Sequence, residues 1–399
     1  MAVEKYVYRI SSSLESPILR HGVKIDEALI GVLSHQKHMI NDYYENRKWD
    51  RHKKQSNPYE LVFTTTHPSI ANINPLSRSF FKHWEMLQDF KEELEELHDL
   101  RKPLVCAFLA EGPGGFIEAF TKLRGDRKED RIYGVTLISS DRNVPSWKLS
   151  REMQAKHNIK LLFGVDGDGS LYSLGNILSF VETIGANECD YVTADGGFDF
   201  SNDFDLQENA SCFLIVAEIL TAMMLLKKGG HFLLKIFDIT LPITRVLLYI
   251  LFENFESITF TKPLTSRPAN SEKYVLCKGF LSGEDKNQKS KNREKVDFVD
   301  VLKETIKEGP RGNRFQLLLD RVIPTNEFLE SIAFYNIIYV VKQITHINTT
   351  LSYIYSGNED ETTLYTQLQY AVRWCHKYKI PINLAHLRLK ANQIVSCIR

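Results

Sequence analysis

An apolar run over residues 104–110 ends in an acid, Glu111, and is followed at once by Gly112-Pro113-Gly114-Gly115 and a helical pattern from Phe116. No other stretch limits the fold so tightly. A short, continuous apolar run reads as a strand buried on both faces, and glycine punctuation leading into a helix is how such a strand turns back in a βαβ unit. Glycine lets backbone approach a ligand closely, and a helix start offers unpaired N–H donors. A carboxylate at the strand end can accept hydrogen bonds from a ribose or an ammonium group. The layout points to a nucleotide-like cofactor at the carboxyl end of a parallel strand. The spacing departs from the dinucleotide fingerprint G-x-G-x-x-G. On these residues alone a plain strand-to-helix turn stays open.

From residue 104 onward, short apolar runs alternate with longer helical patterns. Strands are expected at 104–110, 132–137, 159–163, 191–194, 231–237, 257–261 and 274–280. Helices are expected after Gly115 and over 146–157, 174–184, 206–228 and 242–255, the fourth stopped by Lys227-Lys228-Gly229-Gly230. This alternation predicts an α/β fold with a mostly parallel sheet covered on both faces. The last two strands are joined without a helix, which predicts an antiparallel hairpin at the sheet edge.

Upstream, helical signals run over 27–44, and Pro75 opens a helix expected to reach Lys102, with Leu87, Phe90, Leu94 and Leu97 on one face. Residues 283–295 read as a charged linker, and helical patterns return at 328–347 and 364–378. The division expected is an N-terminal helical, RNA-contacting extension (1–70), a central domain (71–282), the linker, and a C-terminal helical extension (296–399). Lys plus Arg and Asp plus Glu are 50 each, so any anion-binding surface must be a local patch. One cluster, Arg47 to Lys54 with Trp49 inside it, reads either as a solvated helix face or as an RNA contact. The six cysteines lack C-x-x-C spacing, which suits reduced core residues in a reducing, intracellular compartment. No metal-ligand cluster stands out. The apolar run 246–252 is too short to span a bilayer, so no membrane partner is expected.

Three further stretches place charge at strand ends. Asp195 precedes two glycines after a strand, Lys235 lies within the apolar strand Phe232-Leu-Leu-Lys-Ile-Phe237, and Glu272 stands at the start of the last strand. A lysine in such a strand is costly to bury unless it has a partner or a lowered pKa. Singly, each reads as a cap or a snorkelling side chain. Together they imply one crevice.

These strings resemble the FtsJ-like (RrmJ-type) ribose 2′-O-methyltransferases, and among them the eukaryotic and viral enzymes that form cap 1 on mRNA. The resemblance rests on Gly-Gly-His-Phe-Leu-Leu-Lys-Ile-Phe-Asp238, on Thr265-Ser-Arg-Pro-Ala-Asn-Ser-Glu-Lys-Tyr274, on Val165-Asp-Gly-Asp-Gly169, on Ala194-Asp-Gly-Gly-Phe198 and on Asn57-Pro-Tyr-Glu60. It covers residues 55–280 well, and in its compactness the chain is similar to the versions carried by large DNA viruses. It implies a Rossmann-like, S-adenosylmethionine-dependent methyltransferase sheet, mostly parallel with an antiparallel edge strand, between helical N- and C-terminal extensions. It implies methylation of the 2′-hydroxyl of the first transcribed nucleotide by a tetrad, Lys82, Asp195, Lys235 and Glu272, and gives Lys82 a role that its own context could not. Lys235 is the expected base, with a pKa depressed by burial and by Lys82. The resemblance places S-adenosylmethionine at Glu111, Gly112, Pro113, Gly114, Gly115 and Phe116, with Asp166 and Asp168 facing its adenosine. For the cap and transcript it points to Asn270, with Asp203, Phe198, Lys53 and Lys54 as further contacts. Capped mRNA is the implied partner, beside other capping or transcription proteins; location is cytoplasmic or in the virion for a viral chain and nuclear for a cellular one. An internal rRNA or tRNA ribose, or a scaffold without activity, are the alternatives.

Overall fold

The computed structural model describes residues 7–11, 27–44, 48–64, 69–141, 143–197, 207–281, 296–309, 315–356 and 361–398. The N-terminal part holds strand β1 (Val7–Ser11) and helices α1 (Glu27–Tyr44), α2 (Lys48–Gln55), α3 (Ser79–Asp89) and α4 (Glu95–His98). The central alternation follows as β2 (Val105–Leu109), α5 (Gly115–Arg124), β3 (Arg131–Val135), α6 (Arg151–Lys156), β4 (Ile159–Leu162), α7 (Leu174–Ile184), β5 (Cys189–Ala194) and α8 (Gln207–Leu225). It closes with β6 (Leu226–Ile236), α9 (Pro242–Asn254), β7 (Phe255–Thr261) and β8 (Lys273–Phe280). Five more helices follow among the described residues: α10 (Phe298–Glu308), α11 (Gln316–Arg321), α12 (Asn326–Ser356), α13 (Glu361–Lys377) and α14 (Leu384–Ile398).

The sheet order is β1-β7-β8-β6-β5-β2-β3-β4. Strands β4, β3, β2, β5 and β6 are parallel neighbours, while β8 is antiparallel to β6 and β7. Side chains alternate across a strand, so each run feeds two cores. Cys106 and Phe108 of β2 join Leu87, Phe116 and Phe120 on one face. Ala107 and Leu109 join Ile177, Phe180, Ile219 and Leu248 on the other. Helix α8 is apolar and long enough to cross a membrane by composition, and it is a core helix here, largely buried in that second layer.

The structure differs from expectation in four places. The helix opened at Pro75 breaks after Asp89, and Phe90, Leu94 and Leu97 all reach the core through a turn instead. Arg124 takes up carbonyls freed nearby, donating to Leu97, Asp99 and Lys102 at 3.0, 2.9 and 2.6 Å while paired with Asp130 at 2.7 Å. Strand β6 starts at Leu226, so Gly229 and Gly230 belong to it and do not merely stop a helix. Strand β1, which the polar N-terminal composition did not suggest, pairs antiparallel with β7. The β7–β8 hairpin is therefore not the sheet edge. The five described cysteines are buried thiols, in line with reduced core residues.

Two smaller cores fix the flanking helices. Phe80, Phe81 and Trp84 of α3 pack with Leu368, Trp374 and Tyr378 from the C-terminal part. Leu33, Ile40 and Trp49 of α1 and α2 pack with Val340, Ile347 and Leu351 of α12. The two ends of the chain thus meet beside the 262–272 loop, whose Ala269 touches the second of these cores. Arg124→Met should cost about 3–5 kcal/mol in urea denaturation, because it leaves Asp130 buried without its partner; a loss below 1 kcal/mol would mean that the pair is not what holds the α4 turn.

Candidate active site

The strand order reverses between the parallel neighbours β2 and β5, which makes their carboxyl ends the crevice of a doubly wound fold. One carboxylate stands just past each strand. Glu111 follows Ala110, whose φ of 51° turns the chain out of β2, and its N–H donates to Val135 at 3.1 Å. Asp195 directly follows β5, and its N–H donates to Leu109 at 3.3 Å. One Glu111 oxygen accepts the Phe116 N–H at 2.6 Å; the other is buried and has no hydrogen-bond partner among the described residues. Burial first, and then Asp195, raise the Glu111 pKa well above the carboxylate range. A buried carboxyl with a spare oxygen suits a cationic ligand group.

The glycine turn is closely packed against protein. Gly114 lies at φ 114°, where an L side chain is strained. A Cβ on Gly112 would collide with the Pro145 carbonyl, and one on Gly115 with Ser77 and Ser79. Gly115 thereby seats the segment that enters α3 against the start of α5, and Gly112 lets the Pro145 carbonyl approach the turn. Glu118 ties the same segment by accepting the Leu76 N–H at 2.7 Å.

Four elements bring Lys82, Asp195, Lys235 and Glu272 together. Lys82, on α3, pairs with Glu272 at 2.8 Å. Lys235, on β6, donates to the Asp195 carbonyl at 2.7 Å and lies 3.2 Å from its carboxylate. Tyr274 donates to Asp195 and Ser266 to Glu272, each at 2.8 Å. Burial raises the Glu272 pKa, but Lys82 and Lys235 outweigh it and bring the group down to about 2. Lys235 overturns an expectation. Burial does pull its pKa down, yet Asp195, Glu272 and Glu218 together lift it above the ordinary lysine value. In the free protein it is a charged donor, not a poised base.

Residues that sequence reasoning passed over position these four. His83, next to Lys82, is fully buried and held neutral, its pKa pushed down to about 3 by burial. Its Nδ1 therefore donates to the Phe116 carbonyl (2.9 Å) and its Nε2 accepts from Tyr191 (3.1 Å). That locks α3 onto the glycine turn. Glu85 accepts the N–H groups of Leu264 and Thr265 at 2.6 and 3.2 Å, pinning the loop that carries Glu272. Glu60, from the Asn57-Pro-Tyr-Glu string, pairs with Arg267 at 2.9 Å and Arg78 at 3.1 Å. Beneath the site, Glu218 of α8 is buried against Gly196, where any Cβ would strike its carboxyl. Burial, with a smaller contribution from Asp195, raises its pKa to about 8 against the pull of Lys235.

Asp168 accepts from Ser170 N and Asn176 Nδ2, both at 2.9 Å, so one of its oxygens serves the loop itself; Asp166 is exposed. Beside them the chain exposes Leu137, Ile138, Phe163 and Val165. The signal was an apolar run that outlasts its strand: β3 and β4 stop at Val135 and Leu162. Asn270 is exposed and turns its side-chain oxygen to the Glu272 N–H at 3.3 Å. It shares a cavity with Lys53, which is also paired with Asp50. Lys54 does not line that cavity, and its carbonyl accepts from Gln367 at 2.9 Å. Asp203, Phe198 and the 283–295 linker lie outside the described residues.

A mostly parallel sheet with an antiparallel strand inserted near one end, and a charged crevice at its switch point, make this a Rossmann-like, doubly wound fold. The chain belongs to the FtsJ-like methyltransferase family, whose model matches residues 75–280. It is 32% identical to the cap-specific mRNA (nucleoside-2′-O-)-methyltransferase 1 of Danio rerio over 278 residues, which are 65% of this chain and 32% of that protein. The protein of the same name from Homo sapiens is 30% identical over 279 residues, 65% of this chain and 31% of its own length. The chain thus spans about a third of the length of these relatives. Among solved structures, Aeropyrum pernix fibrillarin with bound S-adenosyl-L-methionine is similar at 16% identity and a TM-score of 0.31, over 49% of this chain and 76% of that one.

Glu218 gives a test of the site's electrostatics. A carboxyl whose folded pKa is raised stays protonated after the unfolded chain has ionised, so stability falls with rising pH between the two values. From pH 4.5 to about 8, that slope is about 1.4 kcal/mol per pH unit for one group. Glu218→Gln removes it. The variant should gain on the wild type steadily from pH 5 to 8 in urea denaturation, whereas a constant difference would show that Glu218 is ionised in the fold.

Proposed function

We propose that this chain transfers a methyl group from S-adenosylmethionine to a ribose 2′-hydroxyl of RNA, that of the first transcribed nucleotide of capped mRNA. Lys82, Asp195, Lys235 and Glu272 are the residues we assign to catalysis. The observation that carries the reading is their meeting in one crevice beside the glycine turn, from α3, β5, β6 and the 262–272 loop. The cap as substrate is supported by the names of the relatives, which this chain matches over about a third of their length.

S-adenosylmethionine supplies an electrophilic methyl group on a sulfonium. The chain's own residues fit it: the spare buried oxygen of Glu111 suits its ammonium, and the turn from Gly112 to Phe116 would hold its amino-acid and ribose portions. Leu137, Ile138, Phe163 and Val165, with Asp166 and Asp168, flank the place for its adenosine. Asn270 and Lys53, with Arg267 and Lys37 in the same cavity, are the cap and transcript contacts we assign. Asp203 joins them as a candidate for the cap guanine.

A ribose hydroxyl is a weak nucleophile, and transfer demands in-line approach, so positioning supplies much of the rate. Charged Lys235 can donate to the hydroxyl and fix it. To accept its proton, Lys235 must first lose one. An added positive charge in the crevice lowers the pKa of a neighbouring lysine, so Lys235 becomes a base only in the loaded complex. Lys82 and Glu272 hold the opposite wall, and Asp195 keeps Lys235 aligned.

The direct test offers the protein radiolabelled S-adenosylmethionine and a short RNA ending in a methylated cap or in a triphosphate. Label on the first ribose of the capped RNA alone is expected; label at an internal ribose of both RNAs would move the substrate to an rRNA or tRNA type. Lys235→Met should lower turnover by at least 10² while cofactor affinity is kept, and near-wild-type turnover would remove it from catalysis. Glu111 is neutral when free, so cofactor binding should release a proton. Calorimetry in buffers of different ionisation heat should detect it, and Glu111→Gln should abolish it; no buffer dependence in the wild type would contradict the assignment.

A further inference from the structure

The four charged residues leave the far side of the 262–272 loop unused. There that loop, residues 57–59 and α12 enclose a cavity of about 610 Å3, its open mouth included. Lys262 enters from the start of the loop, Lys273 from the start of β8, and Lys342 and His346 from one face of α12, four residues apart. Among the described residues lining it there is no Asp or Glu. Gln343 and Asn270 add side-chain amides.

Backbone oxygens hold two of these cations in place. Lys262 donates to the carbonyls of Asn270 and Glu272 at 2.5 and 2.6 Å, and Lys273 donates to that of Phe237. A carbonyl carries only a partial charge, so it fixes an ammonium without neutralising it. The strain of gathering positive groups is visible in their acidity. Burial, Lys273 and Lys82 together overcome Glu272 and Asp238 and bring Lys262 down to about 7. Burial, Lys262 and Lys342 hold His346 below its usual value. An anion in the cavity would relieve all of them at once.

We propose that this cavity binds a phosphate group, from an RNA chain or from a free phosphate compound. Lysines act on phosphate as point charges from several directions, which is the arrangement here. The RNA source rests on the function proposed above; the phosphate chemistry does not. Helix α12 lies outside the residues that match the family model, so the cavity joins the loop of the shared domain to a helix beyond it. Through Lys262 it touches the two backbone carbonyls that flank Ser271, next to Glu272.

The test uses full-length protein, Lys342→Ala/His346→Ala and Lys342→Arg, each checked for a wild-type far-UV spectrum. Two probes are titrated: inorganic pyrophosphate by calorimetry, and a ten-nucleotide single-stranded RNA with a 5′-hydroxyl across a range of salt. The double variant should bind pyrophosphate at least tenfold more weakly, with Lys342→Arg close to wild type. If RNA is the source, the slope of log K against log salt becomes shallower by about 0.7 for the lost contact. Pyrophosphate binding lost with the RNA slope unchanged assigns the cavity to a free phosphate compound. Binding of both probes unchanged in the double variant, or no pyrophosphate binding by the wild type together with an unchanged RNA slope, overturns the proposal. Because the pyrophosphate arm involves no methyl transfer, the cavity can stand or fall independently of that reading.

Discussion

Two ion pairs, Lys82–Glu272 and Lys235–Asp195, hold the centre of this molecule. Neither would be worth much on a surface, and neither half tolerates burial alone. Their side chains are between 8 and 15% exposed, so each charge depends on its partner being present. The partners come from distant parts of the chain. That makes the crevice a point of agreement between α3, β5, β6 and the loop before β8, and a shift of any one of them leaves a buried charge uncompensated.

The surrounding structure serves that agreement. His83 fastens α3 to the glycine turn, Glu85 and Arg78 pin the 262–272 loop, and Tyr274 and Ser266 orient the two carboxylates. The N-terminal helices and α12 close over the same loop, with Lys37 of α1 paired to Asp238 just past β6. The acids are not equal. Glu272 faces two lysines and stays ionised far below neutral pH, while burial raises the pKa of Glu111 and Glu218 well above the usual carboxylate range. One small volume therefore offers fixed negative charge, spare protons and two ammonium groups.

Much of this was legible in the sequence. Apolar runs located the seven strands from β2 to β8, and Glu111, Asp195, Lys235 and Glu272 declared themselves by standing at or within strand ends. Lys82 did not, because a lysine among aromatic residues on a helix looks like surface; only the resemblance singled it out. Strand β1 was missed because five residues at a sheet edge carry little pattern. The break after Asp89 was missed because Phe90, Leu94 and Leu97 keep helical spacing while reaching the core by a turn. The sign of the Lys235 shift was beyond sequence: it depends on how closely the Asp195 and Glu272 carboxylates approach it, and on Glu218 one layer below. Leu137 and Phe163, exposed past β3 and β4, were read as strand, since periodicity does not reveal where pairing stops.

The account turns on Lys235 being charged in the free protein and held so by its acidic neighbours. Nuclear magnetic resonance titration of carbon-13-labelled lysine side chains, with Lys235 assigned by substitution, measures that directly. The account predicts a Lys235 pKa above the ordinary lysine value, falling below it in Asp195→Asn, where burial loses its strongest opponent. A Lys235 pKa already below the ordinary value in the wild type would contradict it, and would make this lysine a base before any ligand arrives.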